Sequence, residues 1–173
     1  RWAGLKHVMV LHGGMKAWLA RFYPVSTDTA KPTISENNLT TGHMPIATAD
    51  DLNNQISGSG LLHKLIDARA LTRFRGEEES MDSVAGHIPG AVCHPFTDNL
   101  DDDGRFYTPE YLNQIFSCLI EEDVQPICYC GSGVTACHNI LAMEYAGIKG
   151  TVLYPGSWSE WITDPQRPVA KGS

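Results

Sequence analysis

An apolar run, Pro126-Ile127-Cys128-Tyr129-Cys130, breaks at Gly131-Ser132-Gly133 and passes directly into Thr135–Tyr145, a stretch with helical spacing and good helix formers. Strand, glycine turn and helix in so few residues leave the backbone little freedom. Cys130 is placed at the C-terminal end of a short buried strand, facing a helix N-terminus and a cradle of backbone N–H groups. Such a place favours an anion, so it lowers a thiol's pKa and receives anionic substrates. A lone cysteine is more often a small core hydrophobe. The two flanking glycines and the strand-to-helix setting point away from that reading here.

The remainder of the chain repeats the alternation. Thr48 caps a helix predicted over 49–56, with Asp50 and Asp51 in the first turn and Gly58 and Gly60 ending it. Lys64–Ala68 reads as a strand, Arg69–Phe74 as a short helical stretch, and Gly86–Val92 as a turn into another short strand. Thr108 and Pro109 open a helix to about Ile120; Thr151–Leu153 is a strand and Ser157–Ile162 a helical turn. The acidic stretch 76–86, with Glu77, Glu78, Glu79 and Asp82, reads as a solvated loop. Asp101-Asp102-Asp103-Gly104 lacks the alternate ligands and terminal Glu of a calcium loop and is also read as a loop. The pattern predicts an α/β domain, a mostly parallel central sheet flanked by helices, with its site outside the strand C-termini.

At 173 residues the chain suffices for one proper core plus an appendage. A formal charge of −7 argues against nucleic acid or an anionic membrane as partner, though not against a small anion bound by a local cluster. No apolar run approaches a membrane span. Five cysteines, an odd number in a chain too large to need staples, suggest a reducing cytoplasm.

The first residues carry an internal echo. Ala3-Gly4-Leu5-Lys6 answers Ala146-Gly147-Ile148-Lys149, Gly13 answers Gly156, and Trp18 answers Trp161, all at an offset of 143 residues. Tyr23-Pro24-Val25 answers Arg167-Pro168-Val169 with a shift of one. Repetition at that period means duplicated domains. The first copy's counterpart of the Cys130 loop would precede residue 1. The expected organisation is therefore the tail of one domain over 1–25, a Ser/Thr/Pro-rich linker over 26–45, and a whole domain over 46–173.

Three chemistries compete for the loop. A cysteine phosphatase needs an Arg six residues after its Cys to clamp phosphate, and that position is Ala136. A metal site drawing on Cys128, Cys130, Cys137 and His138 matches no familiar zinc spacing, and Cys128 and Cys130 alternate across a strand. The third is a thiolate that accepts an atom from an anionic donor and holds it covalently.

Cys130-Gly131-Ser132-Gly133-Val134-Thr135-Ala136-Cys137 resembles the active loop of rhodanese-family sulfurtransferases, in the 3-mercaptopyruvate sulfurtransferase style. Asp67-Ala68-Arg69, Arg73-Phe74-Arg75-Gly76, Gly86-His87-Ile88-Pro89-Gly90-Ala91 and Gly156-Ser157-Trp158-Ser159-Glu160-Trp161 are similar to the same family, and Gly13–Trp18 looks like the end of its non-catalytic N-terminal domain. The resemblance implies that Cys130 takes a sulfane sulfur from a small anionic donor, 3-mercaptopyruvate or thiosulfate, and passes it to cyanide or a thiol without a metal or other cofactor. It implies Arg73 as the donor's anion-binding residue, Ser132 as a proton relay, and the backbone of Gly131, Gly133, Val134 and Thr135 as the substrate cradle. The absent N-terminal domain would be a partner.

Two departures bear on the donor. Mercaptopyruvate enzymes often carry a second Arg nine residues beyond the first, where this chain has Asp82; thiosulfate enzymes usually have basic residues inside the loop, and this loop has none. Arg69 is expected to pair with Asp67 or an acid of the 77–82 loop, His87 to be structural, and Trp158 and Trp161 to be core. Cys137 is expected to be buried, with a resolving thiol as the other reading. The rival for the whole chain is a rhodanese-like binding or regulatory module with little activity.

Overall fold

The structure, a computed structural model, describes residues 1–32, 39–58, 63–121 and 123–173. It divides into two units, one of residues 1–44 with 100–106, the other of residues 45–99 with 107–173.

In the larger unit four short strands, β1 (His63–Asp67), β2 (Val92–Cys93), β3 (Gln125–Tyr129) and β4 (Val152–Leu153), form one parallel sheet in the order β2-β1-β3-β4. Strands β1 and β3 pair along their whole length, from His63 beside Gln125 to Asp67 beside Tyr129. From β1 the chain goes to a neighbour on one side, and from β3 to a neighbour on the other. Their adjacent C-terminal ends are therefore the point where the winding reverses, and a parallel sheet opens a crevice there.

Alternation along the strands sorts the core into two layers. Leu65, Ile127, Tyr129 and Val152 pack with Leu52, Tyr154, Trp158 and Trp161, which joins α2 (Ala49–Ser57) and α6 (Ser157–Trp161) to one face. Ile66 and Cys128 are buried with the opposite parity, towards the side of α5 (Val134–Tyr145), which α4 (Pro109–Leu119) flanks. A short helix, α3 (Leu71–Arg75), follows β1.

The helix starts follow from local chemistry. Thr48 Oγ1 accepts the N–H of Asp51 at 3.2 Å while the Asp51 carboxylate accepts that of Thr48 at 2.8 Å, a reciprocal cap. Thr108 Oγ1 accepts the N–H of Tyr111 at 3.3 Å, with Pro109 in the first turn. Gly58 follows α2 as read; Gly60 lies outside the described residues.

The smaller unit contains α1 (Gly14–Ala20) and no fully buried described residue. The Trp18 indole N–H donates to the Pro24 carbonyl at 2.9 Å and its ring meets Tyr23 edge-on. The Asp101 carboxylate accepts the N–H groups of Asp103 and Arg105, so it closes its own turn, as a loop residue does.

Two expectations are corrected. The 76–86 segment is a loop with Glu77 and Glu78 exposed, but two of its acids are not solvated: the Glu79 side chain is 4% exposed and that of Asp82 10%, because both are drawn onto arginines. Cys137 is exposed, since the inward face of α5 is taken by Ala136, Asn139, Ile140, Ala142 and Met143.

Candidate active site

Cys130 follows β3 directly and lies at the sheet's reversal point. The Ala68 N–H donates to Tyr129 O at 2.9 Å, so the chain leaving β1 stays beside the chain leaving β3. The loop is then fastened to the start of α6. The N–H of Cys130 donates to Ser157 Oγ at 3.0 Å, and that hydroxyl donates to Tyr154 O at 2.9 Å. The N–H groups of Trp158 and Ser159 donate to the carbonyls of Cys130 and Gly131, each at 2.9 Å.

Two backbone positions make this possible. Gly133 has φ 81° and leads into α5, and a Cβ there would meet Pro155 O at 2.5 Å. Only glycine suits both demands. Ser157 adopts φ 55° although it is not glycine. A left-handed serine costs on the order of 1 kcal/mol, and its hydroxyl is the group holding the Cys130 amide.

The electrostatics favour a thiolate. Burial alone would push the Cys130 thiol up, but the Thr135 hydroxyl and the N–H groups of Ala136, Ser132 and Thr135 outweigh it and hold the pKa below its ordinary value. The other inner thiols behave oppositely: burial pushes Cys93 up to about 12 and Cys128 higher still. Cys137, exposed as a residue, has a sulfur partly shielded where its S–H donates to Gly133 O at 3.3 Å, and that shielding and the nearby Cys130 raise its pKa as well.

Arg73 reaches the loop from α3. Its Nη1 lies 3.6 Å from the point where a Cβ on Gly131 would be. The guanidinium is held from behind: Nε and Nη2 donate to Glu79 at 2.8–3.1 Å, and Nη2 donates to Asp82 Oδ2 at 2.9 Å. Glu79 also accepts the N–H groups of Met81 and Asp82; burial opposes its charge, but Arg73 and these donors keep its carboxyl below the usual range. Arg69 is a buried structural cation, paired with Asp67 at 2.7 Å, donating to Gly86 O and lying over the Trp158 ring. Although burial acts against its charge, the Asp67 hydrogen bond holds it protonated.

The structure thus brings Cys130, Arg73, Gly131 and Thr135 together. Ser132 contributes its N–H while its side chain is at the surface, and Val134 is 72% exposed. His87 stacks on Phe74 and bonds Phe74 O through Nδ1, so it is structural; Trp158 and Trp161 are core. Among the described residues no group of three or more His, Cys, Asp or Glu side chains is placed to hold a metal. Sequence reasoning missed the Ala136 N–H, Ser157, and the carboxylate pair on Arg73. The GSW segment following β4 was the available signal for Ser157.

The rhodanese-like domain family matches residues 48–164. A probable 3-mercaptopyruvate sulfurtransferase of Pseudomonas aeruginosa is 48% identical over 99% of this chain and 61% of its own length. Human 3-mercaptopyruvate sulfurtransferase is 36% identical over 95% and 57%, and rat thiosulfate sulfurtransferase 34% over 98% and 58%. The chain therefore spans about three-fifths of the length of these relatives. The anaerobic ergothioneine biosynthesis enzyme of Chlorobium limicola shares the fold, with TM-score 0.86 at 21% identity over 99% of this chain and 43% of that one. The chain belongs to the rhodanese-like domain family.

Proposed function

We propose that this rhodanese-like chain is the sulfur-carrying part of a sulfurtransferase, with Cys130 as its nucleophile. The observation that carries the reading is a cysteine whose thiolate is stabilised by one hydroxyl and three N–H groups at the reversal point of a parallel sheet. The Cys130 thiolate attacks the transferable sulfur of the donor; the bond holding that sulfur (sulfur–sulfur in thiosulfate, carbon–sulfur in 3-mercaptopyruvate) breaks, and its electron pair leaves with the remnant as sulfite or the pyruvate enolate. Cys130 then carries a persulfide anion, whose charge the same N–H groups face. A thiol or cyanide attacks the terminal sulfur and returns the thiolate. The sulfur donor is 3-mercaptopyruvate or thiosulfate, the substrates in the names of the relatives. Arg73 Nη1 is the group that meets the donor's anionic end, and Ser132, at the loop surface, relays the proton of the 3-mercaptopyruvate thiol to the pyruvate enolate that leaves; the sulfite that leaves thiosulfate needs no such relay.

The proposal extends to domain organisation: residues 1–25 answer the end of the catalytic unit, as the tail of a preceding domain of the same kind. Matching local geometry supports this. Gly4 and Gly147 share φ near 80°, and their N–H groups donate to the carbonyls three residues back, Arg1 and Glu144. Helices α1 and α6 begin at corresponding positions, Gly14 and Ser157, both left-handed. The Trp18 and Trp161 indoles donate to Pro24 O and Pro168 O, each at 2.9 Å. A cytoplasmic setting belongs to the same reading: the five cysteines are free thiols, and no described helix is long and apolar enough to cross a membrane.

Turnover decides it. The chain should convert cyanide to thiocyanate with one of the two donors, and Cys130→Ala should abolish this. Turnover that persists in Cys130→Ala contradicts the assignment. Silence with both donors, in this chain and in one carrying the preceding domain, favours a binding module.

A further inference from the structure

The site described above turns a cluster of carboxylates towards its own anion-binding arginine. Arg69 and Arg73 face Asp67, Glu79 and Asp82, all within 3.5 Å, so the cluster holds one negative charge in excess. Asp67 and Glu79 have evident structural work: Asp67 pairs the buried Arg69 and accepts its N–H, and Glu79 organises the loop by accepting two backbone N–H groups. Asp82 is different. One carboxylate oxygen accepts from Arg73 Nη2 at 2.9 Å and the other from Ser159 Oγ at 2.7 Å. Ser159 is also the residue whose N–H holds Gly131 O of the active loop. Asp82 therefore sits between the arginine and the loop, and it is the member of the cluster that supplies the excess charge.

We propose that Asp82 is a specificity determinant that tunes this site to singly charged sulfur donors and against doubly charged ones. The proposal rests on the sulfurtransferase reading and adds the charge class of the donor to it. With Nε and Nη2 of Arg73 already occupied by Glu79 and Asp82, only the Nη1 edge is left facing Gly131, where its other neighbour is the Met81 sulfur at 3.7 Å. One edge of a guanidinium whose charge is already balanced suits a single anionic group. A dianion brings a second charge against the Asp82 carboxylate, with no free cation to receive it within the cluster.

Two donors with the same reactive bond separate charge from chemistry. Thiosulfate, a dianion, yields the Cys130 persulfide and sulfite; benzenethiosulfonate, a monoanion, yields the same persulfide and benzenesulfinate. In both, the thiolate takes the outer sulfur, the sulfur–sulfur bond breaks, and the electron pair leaves on the sulfonyl sulfur. The readout is the ratio of second-order loading rates for the two donors, followed by mass in single turnovers. Asp82→Asn removes the charge with little change of shape and should shift the ratio towards thiosulfate by about tenfold, the order expected of one charge acting over several ångströms in a partly solvated site. Asp82→Ser should shift it in the same direction, should the amide disturb the loop. Ser159→Ala, which keeps the charge, should leave the ratio within about twofold.

A ratio unchanged in both Asp82 variants, with both donors still loading, overturns the proposal and leaves the sulfurtransferase reading intact. An equal shift in Ser159→Ala also overturns it, since loop geometry and not charge would then set the preference. Loading of Cys130 by neither donor overturns the underlying reading itself.

Discussion

The Thr135 hydroxyl gives the sharpest handle on the Cys130 thiolate. Cys130 is 2% exposed, so its anion depends on the protein's own donors: one hydroxyl from Thr135 and the N–H groups of Ser132, Thr135 and Ala136. Thr135→Val keeps the side chain's shape and removes one donor. A hydrogen bond to a charged group contributes about 1.5–3 kcal/mol. With three N–H groups remaining to share the charge, the lower figure applies, which is about tenfold in the thiolate population. The sign follows from the direction of the shift. Donors to the thiolate lower the pKa, so removing one raises it, and a higher pH is needed for the same reactivity. The rate of iodoacetamide alkylation at Cys130, followed by peptide mass across pH, should fall about tenfold in Thr135→Val on the acid side, with the whole profile moved to higher pH. Thr135→Ser should restore it. Cys93 and Cys128, whose thiols are pushed up, should stay unmodified at neutral pH and serve as internal references. A Thr135→Val profile that superimposes on the wild type would refute this account of the cradle.

Other outcomes follow from the same geometry. Gly133→Ala places a Cβ 2.5 Å from Pro155 O at φ 81°, and should cost on the order of 2 kcal/mol or more in denaturant unfolding, together with loss of sulfur loading. Ser157→Ala strands the buried Cys130 N–H and should lose about 1–3 kcal/mol; Ser157→Gly should lose less, because the φ of 55° suits glycine, yet loading should drop in both. Glu79 has a depressed native pKa, so its contribution is complete above its ordinary value of 4.5 and is lost as pH falls through the lower native one. Glu79→Gln should therefore lower stability at pH 7 and flatten the acid limb of a pH-stability curve below about 4.5, as read by thermal unfolding.

What the sequence disclosed was what local chemistry decides. The strand, glycine turn and helix around Cys130 are set by residues within a few positions of one another, as are the Thr48 and Thr108 caps, and these stand where their patterns put them. The misses are long-range. Whether Glu79 and Asp82 meet water or an arginine depends on how α3 is turned against the loop, which a run of acids does not encode. Ser157 reaches Cys130 across 27 residues, through the strand that brings α6 back to the sheet. The Ala136 donor is a backbone group and carries no mark in its side chain. Cys137 was misplaced because α5 is apolar on nearly all sides, so its sequence gives little indication of which face turns inward.

The central claim is that Cys130 carries the sulfur, and intact mass tests it most directly. After brief incubation with thiosulfate or 3-mercaptopyruvate, removal of the donor and no added acceptor, the chain should gain one sulfur. That sulfur should disappear on adding cyanide and never appear in Cys130→Ala. A sulfur acquired equally by the Cys130→Ala chain would contradict the account, because the cradle described here would then not be where the chemistry occurs.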